Sequence, residues 1–250
     1  MPRQIRIYFP GQVQCERVTL GREEWHYLAH VLRLQPGQEV VLFGQGEVEL
    51  ACEVEGFGEE SVVLHVRERL VSRTAPSLPI TLAVAVGKGK KLEEIVEATT
   101  ALGVARIIPF VGDHSVAQRS NPRLAERLHL IAREACRQSR RSTPPEILDV
   151  LPGLEQALAA LSPGGNGAVF LEERGGRDLL EAAHSFRPDQ EVAVLIGPEG
   201  GWSGRERSLF EGNSVNPLGI GPRVLRTELA AIVAVALIER AVASVLLESP

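Results

Sequence analysis

The sequence predicts an α/β protein in two parts, a small and largely antiparallel β-barrel followed by a parallel sheet covered by helices on both faces. Three observations lead there. The first 70 residues hold short β-branched runs separated by glycine-bearing turns. From residue 80 onward, apolar runs of strand length alternate with helix-like stretches. Between the two lies SRTAPSLP, residues 72–79, a polar segment with two prolines that reads as a linker. The parts are therefore drawn as residues 1–72 and 73–250.

In the first part the candidate strands are 5–9 (IRIYF), 38–43 (QEVVLF), 47–54 (EVELACEV) and 61–69 (SVVLHVRER), with GQG and GFGEE as turns. REEWHYLAHVLRL, residues 22–34, has helical spacing of Trp25, Leu28, Val31 and Leu32. His26 and His30 lie one turn apart on it. Without a carboxylate or cysteine partner they give no metal site.

In the second part ITLAVAV (80–86) precedes a helix at about 89–102. ARIIPF (105–110), a helix at 121–141 and one at 152–161 follow. AVFL (168–171), a helix near 177–185, EVAVLI (191–196), a helix from 203, SVNPLGI (214–220) and a long last helix complete the series. No internal repeat is present.

A chain of 250 residues with 44% hydrophobic and 24% charged residues is globular, with enough length to bury a real core. Cys15, Cys52 and Cys136 are odd in number and far apart, so neither a disulfide framework nor a zinc spacing is implied, and a reducing compartment fits. MPRQIRIYFPGQ lacks the apolar core of a secretory signal. The most apolar stretch, Leu229 to Leu247, is broken by Glu239 and Arg240. Its longest uncharged run is about half of the roughly 20 residues that a membrane span needs. It is read as a buried helix or a subunit interface through Val235 and Leu246, in a cytoplasmic protein.

The net charge of −5 argues against broad, nonspecific binding of nucleic acid. Its distribution is uneven. Residues 119–141 carry seven arginines against Glu126 and Glu134, whereas residues 1–72 carry seven arginines against eleven glutamates. Local basic density of that kind can bind phosphates. On charge alone, a solvated helix face is the preferred reading.

The chemistry concentrates in two glycine-bearing stretches, LIGPEGGWS (195–203) and LGIGPRVLRTELAA (218–231). Each follows an apolar run, and in open α/β sheets ligands bind at the carboxyl ends of the strands. GPEGG is not a GxGxxG fingerprint, and GKGKK (87–91) lacks the Walker spacing. Ser203 and Glu206 have the spacing of a capping box. One such loop alone reads as a tight turn. Two together favour a pocket that holds a ligand through backbone groups, with an arginine for an anionic substrate, although Arg226 paired with Glu228 is a plain alternative.

These stretches resemble the signature motifs of the ribosomal RNA small-subunit methyltransferase E family of the SPOUT superfamily. RIYF near the start, HYLAHVLRL (26–34), KGKKLEEIVEATTALGVARIIPF (88–110) and EACRQSRRSTPPEI (134–147) agree in the right order over nearly the whole chain. Two departures stand out. The family's E-Q-S-x-R is here Arg137-Gln138-Ser139-Arg140-Arg141, and its R-T-E-T-A is Arg226-Thr227-Glu228-Leu229-Ala230.

The resemblance implies a PUA-like β-barrel and a SPOUT α/β domain with a deep trefoil knot, an exception to the rule that chains do not thread loops. It implies methylation of N3 of a uridine in 16S rRNA, within the assembled small ribosomal subunit. S-adenosylmethionine (SAM) would be held by Leu171, Ile196, Gly197, Pro198, Glu199, Gly200, Leu218, Gly219, Gly221, Val224, Leu225, Arg226 and Thr227, with the glycines bringing peptide groups close to its adenosine. Arg226 would be the catalytic side chain, and Arg6, Arg33, Gln138 and Arg141 would face RNA. A homodimer with sites at the subunit interface, and no metal, complete the expectation. A SPOUT enzyme acting on another RNA such as tRNA, or a non-catalytic RNA-binding assembly factor, are the alternatives.

Overall fold

The structure is a computed structural model that describes residues 4–72, 74, 76–115, 122–161, 167–173, 175–188 and 190–248. Arg119, at the start of the basic segment, and Arg73 and Ala75 of the linker lie outside the described residues. The chain divides into two compact units, Met1–Ala75 with Cys136–Thr143, and Pro76–Ala135 with Pro144–Pro250. The return of 136–143 to the first unit is a feature that a single boundary near residue 72 does not capture.

The first unit holds β1 (Arg6–Tyr8), β2 (Arg17–Leu20), β3 (Glu39–Gln45), β4 (Val48–Phe57) and β5 (Val62–Val71) in the order β1-β3-β4-β5-β2. Only β1 and β3 run parallel. Register shifts at Ala51/Cys52 and Val54/Gly56 bend the long β4–β5 pair, as unpaired residues in a ladder do. The sheet curls over Leu20, Leu28, Leu42, Leu50, Val54 and Leu64, all buried. β2 escaped the sequence reading because four residues give too little alternation to register.

The helix expected over 22–34 is also changed. α1 (Arg22–His26) runs into a π-helical turn, Tyr27–Val31. A π turn takes more residues per revolution, so Val31 rotates off the inner face and is 58% exposed, while Leu28 and Leu34 are buried.

Two arginines expected to face RNA are internal instead. Arg6, 3% exposed, donates two hydrogen bonds to the Glu49 carboxylate (2.9 and 2.8 Å) and a third to the main-chain carbonyl of Arg141 (3.1 Å). Its guanidinium lies 4.9 Å over the Phe43 ring. Arg140, in the left-handed region (φ 63°), reverses the chain. The following segment is then pinned: Gly44 N–H donates to Ser142 O (2.8 Å) and the Thr143 hydroxyl donates to Gly46 O (2.7 Å). Arg141 is consequently buried at 6% exposure. Arg6 braces the first unit through its side chain and Arg141 through its main-chain carbonyl, whereas Arg33 and Gln138 stay exposed.

The second unit holds a seven-stranded parallel sheet in the order β10-β12-β9-β11-β6-β7-β8. Its strands are β6 (Ile80–Ala85), β7 (Arg106–Phe110), β8 (Glu146–Ile147), β9 (Gly167–Leu171), β10 (Arg177–Asp178), β11 (Val192–Ile196) and β12 (Asn216–Gly219). The helices are α2 (Lys91–Ala101), α3 (Pro122–Ser139, whose last residues, from Cys136, belong to the first unit), α4 (Leu154–Ala159), α5 (Leu179–Ala183), α6 (Gly204–Gly212) and α7 (Thr227–Glu248). Every residue of β6 and β11 is buried, which is why both read as unbroken apolar runs: helices cover both faces. Ile95 and Val96 of α2, Ala182 and Ala183 of α5, and the inner stripe of α7 pack together in one cluster. Leu154 and Ala157 of α4 and Phe210 of α6 belong to another with Trp202. Residues 177–178, expected to open a helix, form a strand, and Asp178 then caps α5 by accepting from Leu180 N and Glu181 N.

α7 follows β12 but packs against β6 and β11, on the far side of β9. By length and composition it could cross a membrane. Its Ala231, Ala234, Val235, Ile238, Ala241 and Val242 nevertheless recur at helical spacing in the core. Val235 is thus a core residue, not an interface one. Leu229, Leu246 and Leu247 face outward, 46%, 47% and 82% exposed.

The Arg6 strut gives the first prediction. Arg6→Ala leaves Glu49 and the Arg141 carbonyl without their donor. Because Glu49 keeps 12% exposure, the loss is expected at the low end of the roughly 3–5 kcal/mol seen when one partner of a buried ion pair is removed. Trp25 and Trp202, the only tryptophans, fall one in each unit, so fluorine NMR of 5-fluorotryptophan protein separates the two in urea. The Trp25 resonance should lose its native position at lower urea in Arg6→Ala, and the Arg6→Met/Glu49→Leu double variant should recover most of the loss.

Candidate active site

β9, β11 and β12 end side by side, and the connections that leave them line a cavity of about 430 Å³. The residues that line it fall within 171–173, 196–202 and 220–227, with Arg207 and Ala230. This is where an open parallel sheet leaves room, since its connections diverge at the carboxyl ends of the strands.

The loop after β11 is held from below and from both ends. The Trp202 ring turns back under it and donates Nε1–H to the Leu171 carbonyl (2.8 Å) at the end of β9. It packs against Phe110, Phe170 and Phe210. Ser203 caps α6 in the expected capping box, with Glu206 fully buried and accepting from Ser203 N (2.8 Å) and Asp113 N (3.1 Å). The Ser203 hydroxyl donates to Asp113 (2.5 Å), and this bond, with Arg205 nearby, holds the Asp113 carboxyl below its ordinary range. At the other side, the Thr227 hydroxyl donates to Gly197 O (3.1 Å) and ties the start of α7 to the end of β11.

The glycines have reasons internal to the protein. A Cβ on Gly197 would meet the Trp202 ring at 3.0 Å, and one on Gly200 would meet His114 Cβ at 2.8 Å. On Gly219 it would approach Gly175 O at 3.1 Å. Gly201 and Gly221 have φ of 69° and 107°, where side chains are strained. The expectation that the glycines clear space for a ligand is therefore unnecessary to explain them. His114 also faces the carbonyls of Gly200 and Gly201 through Nδ1 (3.1 and 3.0 Å). Both are acceptors, so Nδ1 carries the proton.

Charge is distributed unequally around the cavity. Arg207 pairs with Glu172 at one wall. Arg226 and Arg223 line the cavity as exposed side chains, and among the described residues neither guanidinium makes a hydrogen bond or ion pair. The Arg226–Glu228 pair considered from sequence is not formed, because Glu228 faces Lys91 (3.5 Å). Among the described residues no group of three His, Cys, Asp or Glu is placed to hold a metal.

Of the residues expected at the cofactor, Leu171, Ile196, Gly197, Pro198, Glu199, Gly200, Gly221, Val224, Leu225, Arg226 and Thr227 line the cavity. Leu218 and Gly219 do not, since they complete β12 behind it. Glu172, Trp202 and Arg207 are among the lining residues that sequence reasoning did not name. Trp202 directly follows the glycines and was within reach. Arg207 gives no local signal, because its place comes from a carboxylate 35 residues away.

Comparison with known proteins puts this geometry in a class. Residues 74–239 match the model of the RNA methyltransferase domain, and residues 20–66 match that of the RNA methyltransferase PUA domain. The domains are those of an RNA methyltransferase with a PUA domain. The chain is 30% identical over 228 residues to the ribosomal RNA small subunit methyltransferase E of Bacillus subtilis, covering 88% of each. It is 31% identical to the protein of the same name from Synechocystis, over 92% of this chain and 75% of that one. A putative methyltransferase from Legionella pneumophila, solved in complex with the bound cofactor SAM, superposes with a TM-score of 0.82 at 30% identity, covering 96% and 98% of the two chains. The chain belongs to the ribosomal RNA small subunit methyltransferase E family.

The packing at Gly200 yields a paired prediction. Gly200→Ala forces the loop or His114 to move and should cost about 1–3 kcal/mol, the range for overpacking. Gly204→Ala, at the first turn of α6 with open space around it, should be neutral or add up to about 1 kcal/mol. Urea denaturation of the two variants, followed at Trp202, reads the difference directly.

Proposed function

We propose that this protein transfers the methyl group of SAM to N3 of a uridine in the 16S rRNA of the small ribosomal subunit. The cleft at the ends of β9, β11 and β12 carries the reading. Its volume of about 430 Å³ suits a small-molecule cofactor, for which pockets of roughly 300–1,000 Å³ are usual. Leu171, Ile196, Ile220, Val224 and Leu225 offer apolar surface for an adenine ring, while residues 197–201 offer peptide groups. The bound SAM of the Legionella relative supports the assignment.

When bound, the cofactor supplies an electrophilic methyl on a sulfonium. The chain has to orient the uracil, remove its N3 proton and steady the negative charge that spreads over its oxygens. Orientation alone provides a large part of such an acceleration. Arg226, unpaired at the cavity wall, is the catalytic side chain in this reading: its planar fork can meet a uracil oxygen as charge develops. Arg33 and Gln138 are the RNA contacts that remain exposed. The crossing of α7 from β12 to the β6–β11 side, pinned by Thr227 on Gly197, is compatible with the trefoil knot of the SPOUT fold. The outward leucines of α7 form a homodimer interface in this reading, and the protein works in the cytoplasm.

Nucleoside mapping of 16S rRNA from cells lacking the protein tests the target. One methyluridine should disappear and return with the wild-type gene; loss of a tRNA modification instead would move the substrate to another RNA. Purified protein should melt higher with S-adenosylhomocysteine, by the equivalent of about 2.7 kcal/mol at a hundredfold excess over Kd.

Arg226→Ala should lower the single-turnover rate about 10²-fold, the effect of losing one preorganised donor, with RNA affinity unchanged. A wild-type rate at saturating substrates removes Arg226 from the mechanism.

For the dimer, Leu246→Glu/Leu247→Glu should sediment as a folded monomer. A wild-type protein that is itself monomeric at micromolar concentration rules the interface out.

A further inference from the structure

Lys88, Lys90 and Lys91 crowd the start of α2, where the aligned peptide dipoles disfavour cations. Lys90 stands at the N-cap without a capping hydrogen bond from its side chain. The favourable charges of that first turn are Glu93 and Glu94. Helix stability therefore does not account for the lysines, and Lys91 has partners elsewhere.

Its ammonium hydrogen-bonds to the carboxylate of Glu199, in the loop after β11, and lies 3.5 Å from Oε2 of Glu228, the second residue of α7. Among the described residues that Glu228 oxygen meets no hydrogen-bond partner by geometry, and the Lys91 ammonium is the cation that faces it. The hydrogen bond with Glu199 raises the Lys91 pKa and lowers that of Glu199, so both stay charged. The Glu199 carboxylate also rests on Gly87, where a Cβ would lie 3.3 Å from Oε1. Loops that follow β6, β11 and β12 thus converge on one cation. The Thr227 hydroxyl on Gly197 O is a second side-chain tie between the last two loops. Arg226 is the residue before that tie.

We propose that Lys91 is a positioning residue, whose ammonium clamps Glu199 and Glu228 and so fixes the two loops that form the cofactor cleft and carry Arg226. The proposal rests on the cofactor reading above. Removing the cation leaves Glu228 without its compensation and Glu199 with only the field of Lys88, so the repulsion between the two carboxylates pushes the loops apart. The global effect is small, because partly exposed ion pairs contribute little to stability. The effect on the cleft is large, because catalysis is sensitive to displacements of about 1 Å.

Two measurements test it. By calorimetry, Lys91→Met should weaken S-adenosylhomocysteine binding about tenfold, far less than a 1 Å misplacement can cost a rate. Lys91→Arg, which keeps the charge, should restore most of the affinity, and Glu199→Gln added to Lys91→Met should restore part by removing the repulsion. The KM for SAM should rise while the KM for RNA stays put.

Amide exchange in the ligand-free protein reads the same clamp without any cofactor. Residues 197–201 and 222–227 should exchange faster in Lys91→Met, and in Glu228→Gln only the second set should. Unchanged exchange in Lys91→Met, or an affinity within twofold of wild type, overturns the proposal. A wild-type protein that binds no S-adenosylhomocysteine, but whose exchange responds as stated, overturns the cofactor reading and leaves the clamp standing.

Discussion

A parallel sheet must bury both of its faces, because the connections between its strands run back across them as helices. In this chain that constraint makes β6 and β11 wholly apolar and leaves no room for chemistry within the sheet. Polar function is displaced to the strand ends. There β12 has been added outside β9 while α7 returns to the β6–β11 side. The loops at 197–203 and 220–226 are brought together by that crossing, and the cavity, the Thr227–Gly197 bond and the unpaired Arg226 all follow from it.

The arginines divide by what surrounds them. Arg6 and Arg141 are enclosed by the curled sheet and the segment that returns to it, and an enclosed guanidinium has to be satisfied inside the protein. Arg226 and Arg223 stand on a loop at the cavity wall, exposed and without a partner among the described residues. A guanidinium without a partner costs nothing while water solvates it, and it is available when a substrate displaces that water. Burial, not residue type, separates the enclosed arginines from the solvated ones here.

Much of the architecture was legible because long elements carry periodicity. The alternation of apolar strands and helices after residue 80 gave the parallel sheet, and Ser203-x-x-Glu206 gave a cap that forms as written. Elements of two to four residues, β2, β8 and β10, have too few positions to show a pattern. The π turn at Tyr27–Val31 was invisible because periodicity assumes a constant pitch. At the site, GPEGG and LRTE were visible as paired loops. GKGKK was weighed against phosphate-binding loops and counted in the family stretch at 88–110, but Lys91 was given no role, since its partners lie in distant segments that only the fold brings near. Pairings of that kind are tertiary facts. A local reading sees one half of each.

The return of residues 136–143 to the first unit bears on how such a chain can be taken apart. A fragment ending in the linker keeps all five strands of the curled sheet yet loses the carbonyls and hydroxyl that meet Arg6, Gly44 and Gly46. The complementary fragment carries the end of α3 and the residues after it, with Cys136 and Arg141, buried in the whole protein, cut off from the first unit. No single cut yields two intact halves. Recombination that swaps the front of this protein for another is therefore disfavoured unless the replacement also accepts a strand of foreign chain from the middle of its new host, which binds the history of the two parts together more tightly than their separate cores suggest.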